Sequence, residues 1–232
     1  MCTAFVKKGN DLLFGYNLDL SATGWDYKIV AKPDIFYIGI KVGATRYKTH
    51  GVNKNGAFGN LPYMNDPTKG VYRRGTQYRR LDLLIGNYIS GKLSYAELLR
   101  IASEKELVNV PNASMHSLIA DGEGHIAILE PGLGCRELTE DYAVMSNFPL
   151  LEPLGDCENP FYGKARYDRG VARLEDSGAD FTAEDGLRLL SELTQDEPWA
   201  TRVSFVYSAN RNTVYYTLNR DFSKIFTCSF AR

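Results

Sequence analysis

Cys2 is the residue of this chain whose position carries the most chemistry. The small side chain beside Met1 favours removal of the initiator methionine, and a free N-terminal cysteine then holds both halves of a nucleophilic pair. Its thiol has a reference pKa of ~8.5 and its α-amine one of about 7.7–8.0, so the amine can accept the thiol proton near neutral pH. Such a pair needs no histidine, and His50, His116 and His125 show no Cys–His pairing in the sequence. Cys135, Cys157 and Cys228 form no CxxC unit and read as ordinary thiols of a reducing compartment. Cys2 alone also has a bland reading, a strand-end thiol, so its chemistry depends on what is positioned around it.

The elements that would do the positioning alternate in blocks. "CTAFVKK" and "DLLFGYNLDL" are short β-rich runs joined at Gly9-Asn10, a hairpin signal. "IFYIGIKVG" is a nearly continuous apolar run, as in a strand covered on both faces. Tyr78, Leu81, Leu84, Ile85 and Tyr88 have helical spacing within 76–92, and Ser94 with Glu97 forms a capping-box pattern before a second helix. "SMHSLIADGEGHIAILEP" is a strand hairpin turning at Asp121–Gly124. Further helices are expected in "YGKARYDRGVARLEDS" and after Thr182, and closing strands in "RVSFVYSA", "TVYYTLN" and "KIFTCSF". Strands, two helices, strands, two helices and strands fit a layered α+β domain with antiparallel sheets. Neither a repeat nor a low-complexity linker interrupts it, so residues 1–232 read as a single domain.

Composition narrows the function classes. A net charge of −1 without a basic stripe argues against nucleic-acid binding. The apolar share of 44% and charged share of 24% are globular values. No run approaches the ~20 apolar residues of a membrane span. Lys7 and Lys8 interrupt any signal-peptide core, which makes the expected location cytoplasmic.

The opening "MCTAF" with "GYNLDL" at 15–20 resembles the choloylglycine hydrolase and penicillin V acylase family, which belongs to the N-terminal-nucleophile hydrolases. The resemblance continues in order through "GVNKNGAFGNLPY", "HSLIADGEGHIAILEP", "VMSNFP" and "GKARYDR", and the closing "TVYYTLNRD" is similar as well. It implies a four-layer αββα sandwich and hydrolysis of linear non-peptide amide C–N bonds, without metal or organic cofactor. Cys2 would form the thioester, and Asp19 would set the orientation and charge of the amine and thiol. Asn60 and Asn147 would stabilise the oxyanion, and Arg166 would bring positive charge to the thiol. Tyr16 stands where the family usually has arginine, which leaves Arg166 as the main cation expected to favour the thiolate. Tyr16, Phe58, Tyr63 and Phe148, with Trp25, Tyr27 and Phe161, supply aromatic surface for an apolar acyl pocket; His116 and Glu130 read as structural. The implied partner is a small-molecule amide; a homo-oligomer stays open, and the family's tetramer is not carried over to so short a chain. An acyltransferase using the same thioester, or an inactive ligand-binding member, are the alternatives.

Overall fold

The computed structural model describes residues 2–64, 69–152 and 163–231; Cys157 and Phe161 lie outside them. β1 (Cys2–Lys8) and β2 (Leu12–Asp19) form the expected hairpin, with Cys2 opposite Leu18 and Ala4 opposite Tyr16. Alternation along a strand sends Cys2, Ala4 and Val6 to one face and Thr3, Phe5 and Lys7 to the other. Gly15 of β2 lies opposite Phe5, and a Cβ there would fall 1.9 Å from the Phe5 ring. Only glycine leaves room for that ring, so Gly15 is fixed by packing against its own hairpin partner.

β3 (Tyr27–Lys32), β4 (Ile35–Val42), β5 (Thr45–Asn53) and β6 (Phe58–Gly59) follow, then β7 (Tyr78–Arg80), α1 (Leu81–Ile89), α2 (Tyr95–Glu104) and β8 (Glu106–Val108). β9 (Ser117–Ala120), β10 (Ile126–Glu130), β11 (Gly134–Leu138) and β12 (Tyr142–Met145) precede α3 (Lys164–Glu175) and α4 (Ala183–Glu192). The chain closes on β13 (Thr201–Ser208), β14 (Thr213–Leu218) and β15 (Phe226–Ser229). The first helix is shorter than its apolar spacing predicts. Tyr78–Arg80 instead pair in parallel with Glu106–Val108, and that ladder holds their backbone extended. The capping boxes at Ser94/Glu97 and Thr182/Asp185 form as expected.

Among the described residues two antiparallel sheets run β12-β1-β2-β13-β14-β15 and β11-β10-β9-β6-β5-β4-β3. Their facing sides bury Ala4, Phe14, Tyr16, Leu18 and Phe205 against Phe36, Ile38, Val52, Phe58 and Leu118. On the outer face of the second sheet, α1 and α2 pack Leu84, Ile85, Ile89 and Leu98. On the outer face of the first, α3 and α4 pack Leu174, Leu187 and Leu190 over Phe5 and Val206. The layer order is therefore αββα, as the resemblance implies. No helix among the described residues is long and apolar enough to cross a membrane.

Candidate active site

Three elements meet at the start of β1. The end of β2 brings Asp19, the turn after β12 brings Ser146 and Asn147, and the first turn of α3 brings Arg166. The Cys2 backbone N–H donates to Asn147 Oδ1 at 3.0 Å, and Arg166 Nη2 donates to the same oxygen at 2.8 Å. The Asn147 amide nitrogen donates in turn to the Tyr63 carbonyl at 2.6 Å. With two donors on one side and a carbonyl on the other, the orientation of the Asn147 carboxamide is decided by its partners.

Arg166 is the hub of this cluster. Its Nη1 donates to the Cys2 carbonyl at 3.0 Å and Thr3 Oγ1 at 2.6 Å, and lies 3.5 Å from Asp19 Oδ2. Gly163, which caps α3 at φ +88°, explains how the helix start can come so close. A Cβ there would meet Ser146 Oγ at 2.1 Å and Arg166 Nη2 at 2.9 Å, quite apart from the left-handed backbone.

Asp19 is buried and accepts from Thr201 Oγ1 at 2.6 Å and Gln195 Nε2 at 2.5 Å. Burial nevertheless raises its carboxyl to about 6, the guanidinium of Arg166 and these hydrogen bonds offsetting part of the desolvation. Ionised Asp19 is thus a net cost to the folded state. A carboxyl raised on folding contributes stability that is complete below its unfolded value and lost as pH rises through the folded one. Relative to Asp19→Asn, the wild-type protein is expected to lose about 3 kcal/mol of stability between pH 4 and pH 7.5. Denaturant titrations of both proteins across that range check it, and a pH-independent difference would place the Asp19 carboxyl at an ordinary value.

The thiol itself faces the space between the sheets and is buried. Burial pushes the Cys2 thiol up, and the negative charge of Asp19 acts in the same direction. The Tyr16 hydroxyl and the Asp19 backbone N–H hydrogen-bond the sulfur and act against it. Arg166, expected to favour the thiolate, lies on the opposite face of β1 and bonds the Cys2 carbonyl, Thr3 and Asn147, while its charge and that of the Cys2 thiolate still attract. Sequence reading also missed His50. Its Nδ1 accepts the Leu61 N–H at 3.1 Å, its ring stacks on Tyr16 with centroids 4.4 Å apart, and its Nε2 lies 3.4 Å from the Tyr16 hydroxyl. A bulge at Thr49, where the β4–β5 register shifts, sends Lys48 outward to Ser90 and leaves His50 on the inner face. That bulge has no signature in the residue types.

The other predicted residues are spread differently. Asn60 is fully buried and exchanges both of its bonds with the Leu118 backbone, Nδ2 to O at 2.9 Å and N to Oδ1 at 3.2 Å. It joins the cluster through its neighbour Leu61, and one Nδ2 hydrogen remains beyond that pairing. Phe58 stacks on Phe14 at 5.0 Å inside the core, so it is a packing residue and not the wall of an open pocket. Phe148 is buried edge-on against Tyr167, whereas Tyr63 is 45% exposed and offers its carbonyl to Asn147. His116 and Glu130, read from the sequence as structural, are fully buried. His116 contacts the Ser146 carbonyl at 2.6 Å and Glu130 at 3.1 Å, and Glu130 accepts the N–H groups of Leu150 and Leu151. They brace the turn that presents Asn147. Asp121, half-buried, and the exposed Glu123 and His125 cluster on the turn between β9 and β10.

No protein-family model and no curated protein sequence matches the chain. Solved structures do. Conjugated bile acid hydrolase from Clostridium perfringens superposes with a TM-score of 0.70 at 13% identity, over 99% of this chain and 92% of that one. Penicillin V acylase from Agrobacterium tumefaciens gives 0.61 at 15% identity, over 94% and 83%. The N-acylethanolamine-hydrolyzing acid amidase ortholog of Caenorhabditis elegans gives 0.61 at 16%, over 90% and 93%. The chain has the fold of these structures, that of the N-terminal-nucleophile hydrolases, along nearly its whole length.

Proposed function

We propose that this chain is an amidase that cleaves linear, non-peptide C–N bonds through a thioester on Cys2, once Met1 has been removed. The observation that carries the reading is the seat around the Cys2 nitrogen. Asn147 Oδ1 accepts from it at 3.0 Å, while Arg166 fixes that oxygen and the Cys2 carbonyl together. Asp19, held by Thr201 and Gln195, completes the surroundings. A free α-amine in that seat would be oriented by an acceptor, with its lone pair left for the thiol.

The chemistry follows from the electrostatics. Burial keeps the sulfur protonated at rest, so the reaction needs a base at the moment of attack, and the α-amine of the same residue is the nearest one. The sulfur adds to the amide carbonyl as its proton passes to the amine. The resulting ammonium gives that proton to the departing nitrogen, and the acyl group stays on sulfur. Water, deprotonated by the same amine, then releases the carboxylic acid. The remaining Nδ2 hydrogens of Asn147 and Asn60 are the donors assigned to the oxyanion, a contribution of about 2.7–4 kcal/mol for one such group in other acyl-transfer enzymes. The three fold relatives, whose names describe action on conjugated bile acids, penicillin V and N-acylethanolamines, support an N-acylated small molecule as substrate.

The test is intact mass of the purified protein, alone and after rapid quenching with a chromogenic N-acyl anilide. The expected result is a mature chain lacking Met1 and a transient acyl adduct on the Cys2 peptide. Full activity in a chain that keeps Met1, or an adduct on another residue, would sink the mechanism.

A further inference from the structure

We propose that Tyr16 is the catalytic hydrogen-bond donor to the Cys2 sulfur and that His50 positions it, a neutral relay serving where a cation would otherwise act. The inference rests on Cys2 being the nucleophile, as proposed above.

Proton bookkeeping fixes the direction of the relay. A backbone N–H can only donate, so Leu61 leaves His50 Nδ1 without a proton. Burial drives the His50 imidazolium down to about 3, so the ring is neutral above that and carries its single proton on Nε2. Nε2 lies 3.4 Å from the Tyr16 oxygen and can only offer a proton to it. The Tyr16 proton is then free to point at Cys2, its diagonal neighbour on the inner face of the β1–β2 hairpin, and a bond from that hydroxyl lowers the thiol. All three steps run one way, from the Leu61 amide to the imidazole, the phenol and the sulfur. The 3.4 Å contact is long, and the near-parallel stack of the two rings shares the task of holding the phenol in place.

Such a relay suits its surroundings. Tyr16 is fully buried in the inter-sheet core among Phe205 and His50, where a guanidinium would face a heavy desolvation cost. A phenol costs less to bury and still strengthens its bond to sulfur as the sulfur gains charge. The ionisable groups around that sulfur are the chain's N-terminal amine, Tyr16 and Asp19 from β2, and Arg166 from α3, with His50 of β5 acting through Tyr16. Of these, Tyr16 alone is a side chain that donates directly to the sulfur.

The experiment is the pH dependence of Cys2 alkylation by iodoacetamide in the mature protein. Peptide mass spectrometry follows Cys2 itself, in wild type, Tyr16→Phe, His50→Gln and the double variant. Loss of a donor to a charged acceptor predicts a Cys2 apparent pKa raised by about one to two units in Tyr16→Phe, hence alkylation at pH 7 slowed by roughly 10- to 100-fold. His50→Gln should move the profile less in the same direction, and nothing further once Tyr16 is Phe, because it acts only through the phenol. An unchanged profile in a folded Tyr16→Phe protein overturns the proposal, and an equal His50→Gln effect in both backgrounds removes His50 from it. Should Tyr16→Phe fail to fold, an unchanged profile in His50→Gln overturns the relay by itself. Alkylation needs no amide substrate, so the readings separate. A shifted profile without any amide turnover upholds the relay and defeats the amidase; Cys2-dependent turnover with unshifted profiles does the reverse.

Discussion

Replacing Cys2 with alanine is expected to lower kcat/KM for any amide substrate by at least about 10⁴-fold while the protein still folds cooperatively. The large factor follows from the role. Deleting a nucleophile removes the covalent pathway altogether and leaves only binding and oxyanion stabilisation, which in comparable hydrolases account for a small residue of the rate. The stability cost is small by comparison. Cys2 is buried in the inter-sheet core, but its side chain is one sulfur atom at a strand end, and its loss should cost about 1 kcal/mol in packing. The α-amine, Asn147 and Arg166 keep their partners, because those bonds use the Cys2 backbone and not the thiol. Activity assays and thermal melts of the mature variant separate the two effects. Retained turnover would remove the thiol from the mechanism, and loss of cooperative melting would make Cys2 a core residue whose chemistry is incidental.

Much of this arrangement is legible in the residues themselves. The β1–β2 hairpin, the two capping boxes and the closing strands follow from turn chemistry and period, which act over a few residues and so survive in a bare sequence. Within the motif Gly15–Asp19 the reasons differ in range: Gly15 lies under the ring of its hairpin partner Phe5, whereas Asn17 donates to the distant Leu190 carbonyl at 2.9 Å. Half-exposed β3, the short parallel β7–β8 pair and the truncated first helix are less legible. There the deciding bonds come from strands distant in the chain, and side-chain spacing carries no trace of them. The site divides along the same line. Cys2, Asp19, Asn147 and Arg166 sit at element ends and converge; His50 reaches Tyr16 only because of a register shift at Thr49. Phe58 shows the opposite error, since an aromatic beside a motif looks like pocket lining until the facing sheet is in place.

Two kinds of polar burial therefore meet at Cys2. On the inner face of β1, the phenol lies beside the sulfur and the imidazole stacks on the phenol, both without formal charge. On the outer face, Asp19 and Arg166 are buried together and fix the backbone of the same residue.

Removing the charged half is expected to be the most damaging change to stability and almost as damaging to activity as loss of the thiol. Arg166→Ala takes one donor from each of four acceptors: Asp19, the Cys2 carbonyl, Thr3 and Asn147 Oδ1. Breaking a buried pair in this way costs about 3–5 kcal/mol. The loss should depend on pH in a defined sense. Arg166 is the largest influence holding the Asp19 carboxyl down against burial, so without it that carboxyl rises further above about 6. The ion-pair part of the stabilisation exists only while wild-type Asp19 is ionised; it is present above about pH 6 and fades as pH falls through that value. The difference in unfolding free energy between wild type and Arg166→Ala should therefore be larger at pH 7.5 than at pH 5, the remainder at pH 5 being lost hydrogen bonds and packing. Arg166→Lys should split the two functions. A lysine ammonium restores charge near Asp19, and with it most of the pH dependence, but a point charge cannot span the Cys2 carbonyl and Asn147 Oδ1 as the planar fork does. Its kcat should stay down by about 10²-fold, the scale of an active-site group displaced by an ångström. Denaturant titrations at both pH values with steady-state kinetics decide it. An equal stability loss at pH 5 and 7.5 would mean that Arg166 acts through its hydrogen bonds alone, and full activity in Arg166→Lys would mean that charge, not the fork, is what Cys2 requires.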